Sequence, residues 1–271
     1  MTSEELSVQI RLDAWEMAYK AKASHMGGNF SIADAVAVLY HDIANVDPKN
    51  PDKPDRDRII LSKGHCCAVL YACLAECGFF PKDELMTFGQ NGSRLSCHIS
   101  YKVPGVELSS GSLGHGAPVA AGMALHAKLH GDKYKVYALC GDGECDEGSI
   151  WEMIEFAGQN KLDNFTVLID ANQMQAMGDT KDIINLEPLS EKLNSFGWHA
   201  IDVDGHNHDA LRAAFREDPE GKPKAIISHT IKGHGASFME HSLWWHYQIP
   251  FDHYYQEAID ELNNEMKEIR K

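Results

Sequence analysis

The chain has 271 residues, an apolar fraction of 44% and a formal net charge of −15. This length and apolar content suffice for a large globular domain, whereas the acidic charge argues against a nucleic-acid or anionic-membrane surface. The amino terminus lacks a secretion signal, no apolar run approaches the roughly 20 residues of a membrane span, and the seven cysteines form no C-x-x-C pair. We therefore expect a cytoplasmic protein with reduced thiols, whose partners include neither nucleic acid nor a membrane.

The predicted elements alternate between helices and strands along the chain. A first helix is expected over residues 4–23, and the spacing of Ser31 and Asp34 resembles a helix cap, which predicts a second helix from there to about residue 45. Strands are expected at 58–61, 135–140, 166–170, 197–203 and 224–228, and further helices at 65–77, 114–131, 149–161, 209–215 and from about 254. This alternation predicts an α/β fold with a mainly parallel β-sheet and helices on both faces, formed by a single domain over residues 1–271.

Two polar segments follow neighbouring predicted strands. Gly141-Asp142-Gly143 follows the strand at 135–140, and Asn172 follows the strand at 166–170. Because ligands of open α/β sheets bind at the carboxyl ends of strands, Asp142 and Asn172 are predicted to lie together. Mg²⁺ prefers oxygen ligands, and the backbone carbonyl of Met174 is the candidate for a third. A Gly-Asp-Gly triplet alone is common in turns, so it is the spacing and the strand context that predict a divalent-cation and diphosphate site.

These segments resemble the thiamine-diphosphate motif, although Ala171 stands where many members have a second Asn. Two other segments, 56–65 with its Arg-Asp-Arg and Leu-Ser-Lys-Gly-His, and 104–116 with its Pro-Gly-Val-Glu and Gly-Ser-Leu-Gly-His-Gly, are similar to the amino-terminal part of transketolase. The chain therefore resembles the thiamine-diphosphate-dependent transketolase family. The resemblance implies a thiamine-diphosphate-binding fold, with thiamine diphosphate and Mg²⁺, or another divalent cation such as Ca²⁺ or Mn²⁺, as cofactors.

The resemblance also implies a role for each matching residue. His65 would bind the diphosphate from a helix start, and Leu113 would lie under the cofactor. His25 and His98 match histidines that contact substrate hydroxyls, and His246 matches one that faces both cofactor and substrate. The implied cofactor-binding residues are His65, Gly111, Leu113, Gly141, Asp142, Gly143, Glu147, Asn172 and His246, the metal ligands Asp142, Asn172 and Met174, and the catalytic residues His25, His98 and His246.

Several residues depart from the family pattern. Tyr247 replaces the usual glycine after His246, which leaves His241 as a competitor for that position. His25 lacks the proline that usually follows it, and His115 replaces a glutamine, so the acceptor sugar stays open. The remaining histidines that we considered are expected on the surface or in helices: His126, His130, His199 and His208.

A last implication concerns the partner of this chain. In the family, the glutamate that activates the cofactor belongs to a second, pyrimidine-binding domain, which is expected to lie on another polypeptide. The implied function is that of the diphosphate-binding subunit of a two-subunit transketolase. With a C-terminal transketolase-like subunit that carries the pyrimidine-binding domain and its glutamate, in an α2β2 assembly, it would transfer a two-carbon ketol group from a ketose phosphate to an aldose. Glu147 would point across the subunit interface.

Two alternatives remain at this point. In the first, the chain is a subunit of another thiamine-diphosphate enzyme, of the 2-oxo-acid dehydrogenase E1α or deoxyxylulose-phosphate synthase type. In the second, it is a non-catalytic cofactor-binding module. The matching histidines favour ketol transfer, because sugar hydroxyls need many hydrogen-bond partners and imidazole both donates and accepts. The donor and acceptor sugars are not indicated by the sequence.

Overall fold

The structure, a computed structural model, describes all residues from Met1 to Lys271. None of its helices combines the length and the apolar character that crossing a membrane requires. The α-helices are α1 (Ser3–Ala21), α2 (Met26–Val38), α3 (Cys67–Glu76), α4 (Gly116–His130), α5 (Gly148–Gln159), α6 (Thr180–Ile183), α7 (Leu189–Ser195), α8 (His208–Arg216) and α9 (Asp252–Ile269). Short 3-10 turns span Gly64–Cys66, Lys82–Thr87, Gly143–Asp146 and Leu243–His246, and a π-turn at Leu39–Ile43 continues α2.

Five parallel strands form one sheet in the order β1-β2-β3-β5-β4. The strands are β1 (Arg58–Leu61), β2 (Val136–Gly141), β3 (Phe165–Ala171), β4 (His199–Asp204) and β5 (Lys224–His229). Each predicted strand is present, within two residues of its expected start and end. Since all strands run in the same direction, their carboxyl ends meet at one edge of the sheet, where the polar segments of the sequence were expected to converge.

Apolar side chains cover both faces of the sheet. Ile59 and Leu139 belong to a core cluster with residues of α1, α2, α3, α8 and α9, whereas Ile60 and Ala138 belong to another cluster with residues of α4, α5 and α7. Because neighbouring strand residues point to opposite faces, a strand that is buried on both faces is apolar at every position. The predicted α/β fold, with a parallel sheet and helices on both faces, is confirmed.

One local prediction is wrong. Helix α2 begins at Met26, and Ser31 lies inside it, where its buried hydroxyl is 2.6 Å from the Asp170 carboxylate and does not cap the helix. The residues that resemble a helix cap in the sequence therefore form a tertiary contact with β3. His208, expected as a surface or helix residue, is the first residue of α8; it is buried, with its ring 3.2 Å from the Asp34 carboxylate.

Candidate functional site

Polar residues converge on a cavity at the carboxyl edge of the sheet. Lys63 follows β1, Asp142 follows β2 and Asn172 follows β3, and all three line a cavity of about 270 Å³. The turn after β1 needs a glycine, since a Cβ at Gly64 would lie 2.1 Å from the carbonyl oxygen of Ser110. The parallel register of the strands therefore brings together residues that are far apart in the chain.

Asp142 is a half-buried carboxylate without a cationic partner. Its two oxygens accept hydrogen bonds from the backbone N–H groups of Gly143, at 2.8 Å, and Gln173, at 2.6 Å, but it forms no ion pair with a lysine or arginine. Burial, assisted by repulsion from Asp170, raises the pKa of Asp142 to about 7. A carboxylate whose charge is destabilised in this way gains from a bound cation.

Asn172 and Met174 line the same cavity. The side-chain oxygen of Asn172 accepts a hydrogen bond from the backbone N–H of Met174 at 3.2 Å. The carbonyl oxygen of Met174 accepts one from the ammonium of Lys232 at 2.9 Å, so a positive charge already lies beside the third predicted metal ligand. The three predicted ligands thus belong to one cluster, as the strand positions predicted.

The sequence did not reveal a buried charge pair beneath the cavity. The ammonium of Lys63 forms an ion pair with Asp170, and the side chains are 3% and 1% exposed. Burial alone would lower the pKa of Lys63, but Asp170 outweighs it and raises that pKa; Lys63 in turn keeps the pKa of Asp170 below its usual range despite burial. Ser31 and Asn172 also bond to the Asp170 carboxylate, at 2.6 and 3.2 Å.

Glu144 is a second buried acid that the sequence did not single out. Its carboxylate accepts hydrogen bonds from the hydroxyl of Ser62 at 2.5 Å, from the N–H of Gly114 at 2.9 Å and from the N–H of Gly141 at 3.3 Å. Burial raises the pKa of Glu144, which these three donors partly offset. Glu144 therefore joins the end of β1, the start of the α4 segment and the Gly-Asp-Gly loop.

Four histidines lie close together in the cavity. The ring of His25 lies 5.4 Å from that of His65, 5.9 Å from that of His98 and 5.1 Å from that of His246, measured between ring centroids. All four line the 270 Å³ cavity, whereas His241 lines a separate cavity of about 620 Å³. Of the two competing histidines, the structure therefore places His246 in the cluster.

The environment lowers the pKa of three of these histidines, which favours the neutral imidazole. Burial lowers the pKa of His25 and of His65, with further contributions from His98 and Lys63 respectively. Burial, together with the positive charge of Lys232, lowers the pKa of His246 to about 3. Neutral imidazoles both donate and accept hydrogen bonds, which suits the recognition of hydroxyl groups.

The low pKa of His246 predicts a pH-dependent effect of the substitution His246→Gln. Because the unfolded histidine binds a proton near pH 6.5 and the folded one near pH 3, the wild-type chain loses stability as the pH falls through 6.5. Glutamine does not titrate in this pH range. When the pH is lowered from 7.5 to 5, the free energy of unfolding of the variant should therefore rise by about 1 kcal/mol relative to that of the wild type, a value that allows for solvent screening. Urea unfolding at both pH values measures this difference, and a pH-independent difference would contradict it.

The remaining predicted cofactor residues occupy different places. Gly111, Leu113, Gly141 and Gly143 line the cavity with the histidines. Gly143 also packs closely, since a Cβ there would lie 2.8 Å from the Cγ of Gln175. Glu147 does not line the cavity, because it is exposed immediately before α5.

The fold and the site define a class: an α/β protein whose parallel sheet presents oxygen ligands, lysines and histidines in one cavity at its carboxyl edge. Residues 2–246 match the family model described as "Transketolase, thiamine diphosphate binding domain". The chain belongs to the transketolase family. The predicted family, its thiamine-diphosphate-binding fold and its transferase class are therefore confirmed.

Several relatives match the chain over different shares of their own length. It is 40% identical over 258 residues to an apulose-4-phosphate transketolase subunit of Phocaeicola vulgatus, covering 94% of this chain and 92% of that protein. It is 40% identical to the 6-deoxy-6-sulfo-D-fructose transketolase subunit SqwG of a Clostridium species, covering 98% and 99%. The solved transketolase of Campylobacter jejuni superimposes with a TM-score of 0.90 at 30% identity, covering 98% of this chain but 42% of that one. The chain thus spans the relatives named as subunits nearly end to end, and less than half of the longer transketolase.

Proposed function

We propose that this chain is the diphosphate-binding subunit of a two-subunit transketolase. With its partner it transfers a two-carbon ketol group from a ketose phosphate to an aldose, using thiamine diphosphate and Mg²⁺. The observation that carries the proposal is the composition of one cavity, in which Asp142, Asn172 and Met174 lie together with the histidine cluster. A site for a diphosphate alone has no need of several imidazoles in the same cavity.

The residues present fit a divalent cation and a diphosphate. Asp142, the side-chain oxygen of Asn172 and the carbonyl of Met174 supply hard oxygen ligands of the kind that Mg²⁺ binds, and Ca²⁺ or Mn²⁺ accept the same donors. The raised pKa of Asp142 is a property of a carboxylate that lacks a counter-ion. Lys63 and Lys232, both buried and lining the cavity, add positive charge for phosphate oxygens.

The other cavity residues would hold the cofactor and the sugar. His65, Gly111, Leu113, Gly141, Gly143 and His246 would contact thiamine diphosphate, which when bound supplies an electron sink for the two-carbon fragment. His25, His98 and His246 would orient the sugar hydroxyls and hold or move a proton at their ring nitrogens. The lowered pKa values of His25 and His246 keep these two rings neutral before a ligand binds.

The assembly is part of the same proposal. Residues 1–271 would form one domain, and a C-terminal transketolase-like subunit would supply the pyrimidine-binding domain and its activating glutamate in a cytoplasmic α2β2 heterotetramer. Support comes from the end-to-end match to relatives named as transketolase subunits. Glu147, exposed at the start of α5, is available to a neighbouring subunit.

A reconstitution assay tests the proposed function. The purified chain is mixed with a candidate partner that carries the pyrimidine-binding domain, together with Mg²⁺, thiamine diphosphate, a panel of ketose phosphates and aldoses. We expect ketol transfer by the mixture and none by either chain alone. In the mixture, His98→Ala should lower the rate by about 100-fold or more, because a positioned acid or base contributes this much.

The control for this assay is His126→Ala, which removes an exposed histidine of α4 and should leave the rate unchanged. Ketol transfer by the isolated chain would refute the need for a partner. Oxidative decarboxylation of a 2-oxo acid by the mixture, or condensation of pyruvate with glyceraldehyde 3-phosphate, would replace the ketol-transfer proposal with one of the alternative enzyme classes.

A further inference from the structure

A buried polar cluster lies outside the cavity, around Asp34 of α2. The Asp34 carboxylate is 2.6 Å from the guanidinium of Arg11, 2.7 Å from Nδ1 of His206 and 3.2 Å from Nε2 of His208. Burial alone would raise the pKa of Asp34, but Arg11 and the two histidines hold it well below its usual range. Asp34 is therefore a fixed, charged acceptor at the centre of the cluster.

The hydrogen bonds of His206 determine which of its nitrogens carries the proton. Its Nε2 lies 2.8 Å from the backbone N–H of Ile231, which can only donate, so Nε2 accepts. The proton must then be on Nδ1, which donates to Asp34. Asp34, His206 and His234 lie close enough for a metal site, but both nitrogens of His206 are already engaged and Arg11 already supplies the positive charge.

The acceptor function of His206 extends to the cofactor cavity. Ile231 immediately precedes Lys232, whose ammonium donates to the carbonyl of Met174 at 2.9 Å. On the other side of Lys232, the N–H of Gly233 donates to the carbonyl of Gly27 at 3.0 Å. The backbone of this lysine is thus held on one side by His206 and on the other by the first turn of α2.

A stacked ring fixes the orientation of His206. The ring of His234 lies 3.7 Å from that of His206 between centroids, with an interplanar angle of 24°. Rotation of His206 away from Ile231 would break this stacking as well as the bond to Asp34. Hydrogen bonds therefore connect the charged Asp34, through His206 and the N–H of Ile231, to the backbone that carries Lys232.

We propose that His206 is a positioning residue that holds Lys232 toward the diphosphate. The inference rests on the proposed function, because it requires that the cavity bind a diphosphate. His208 provides a matched comparison: it bonds to the same carboxylate, and to the hydroxyl of Ser3 at 3.0 Å, but forms no hydrogen bond to the segment that carries Lys232. Loss of His206 should therefore affect the ligand, and loss of His208 should not.

The test compares His206→Asn, His206→Gln and His208→Gln by titrating the full chain with Mg²⁺ and inorganic diphosphate in a calorimeter. Asparagine keeps a donor for Asp34 but is too short to accept from Ile231, whereas glutamine offers both a donor and an acceptor. We expect the affinity for Mg²⁺ and diphosphate to fall about 10-fold in His206→Asn, which corresponds to the loss of one charge-assisted contact. In His206→Gln and His208→Gln it should change less than about twofold.

A double variant separates positioning from general stability. In a Lys232→Met background, His206→Asn should cause no further loss of affinity, because the group that it positions is absent. Amide hydrogen exchange at residues 230–234 should increase in His206→Asn and not in His208→Gln. Equal losses of affinity in His206→Asn and His208→Gln, or additive losses with Lys232→Met, would overturn the inference. Failure of the wild-type chain to bind Mg²⁺ and diphosphate would instead overturn the proposed function.

Discussion

Replacing Asp142 with asparagine is expected to weaken the binding of Mg²⁺ and thiamine diphosphate by about 100-fold or more. Loss of a group that only supports a metal ligand costs 10- to 100-fold in affinity, and Asp142 is proposed as the only charged ligand of the cation. Gly143 and Gln173 donate to different oxygens of Asp142, so asparagine keeps an acceptor for one of these two N–H groups and loses the other hydrogen bond. One such neutral hydrogen bond is worth about 0.5–1.5 kcal/mol, so most of the loss should reflect the missing charge.

The stability of the same variant shows whether the loss of binding comes from the missing charge or from unfolding. The pKa of Asp142 is about 7 in the fold and lower in the unfolded chain, so its ionisation opposes folding as the pH rises toward 7. The ligand-free variant should therefore be at least as stable as the wild type at pH 8, by urea unfolding. This combination of intact stability and lost cation binding is specific to a ligand residue.

Calorimetric titration with Mg²⁺ and thiamine diphosphate measures the binding prediction. The matched control is Asp146→Asn, which changes an acid of the same loop whose carboxylate accepts from the side chain of Gln175 at 2.6 Å and which does not line the cavity. The control should bind within about threefold of the wild type, because asparagine still offers an acceptor to Gln175. Unchanged binding by the Asp142 variant would remove this residue from the cation site.

The sheet was predictable because its central strands lie between helices and are buried on both faces, although the edge strand β4 is only partly buried. Short apolar runs such as 136–140 and 165–169 can therefore be recognised as buried strands from the sequence alone. The start of α2 was not predictable, because Ser31 has the sequence features of a cap while its hydroxyl bonds to Asp170 on a strand far along the chain. A local sequence pattern does not show which distant residue a side chain contacts in the folded protein.

The site was predictable to the extent that short motifs carry it. Asp142, Asn172 and the four histidines lie in recognisable segments and converge in one cavity. Lys63 and Asp170 were missed because their importance comes from an ion pair between the end of β1 and β3, which lie on either side of β2, although a charged residue at the end of an apolar strand is a usable signal. Lys232 was missed because only the folded chain brings it to Met174.

The Lys63–Asp170 pair is expected to give the largest stability effect in the chain. Replacing Lys63 with methionine leaves the carboxylate of Asp170 buried without its cation, and breaking a buried pair in this way costs about 3–5 kcal/mol. Asp170→Asn should cost a similar amount, since it leaves the ammonium of Lys63 uncompensated. A loss of this size is a large share of the ~5–15 kcal/mol that stabilises a typical domain.

The double variant Lys63→Met, Asp170→Asn tests whether the charge pair itself is responsible. With both charges removed, neither is left buried and unpaired, so the double variant should be less destabilised than the sum of the single variants by about 2 kcal/mol or more. Ser31 and Asn172 can still bond to the asparagine, which limits the remaining cost. Urea unfolding of the wild type, the two single variants and the double variant gives the coupling free energy.

The matched control is the exposed pair of Lys128 and Asp163, whose nearest charged atoms are 3.3 Å apart. Lys128→Met should cost less than about 1 kcal/mol, because water compensates exposed charges. A cost for Lys63→Met no larger than this control, or strict additivity in the double variant, would contradict the prediction. A large coupling would instead show that Lys63 and Asp170 stabilise the fold as a pair, so that Lys232, which forms no ion pair, supplies more of the positive charge for a diphosphate than Lys63 does.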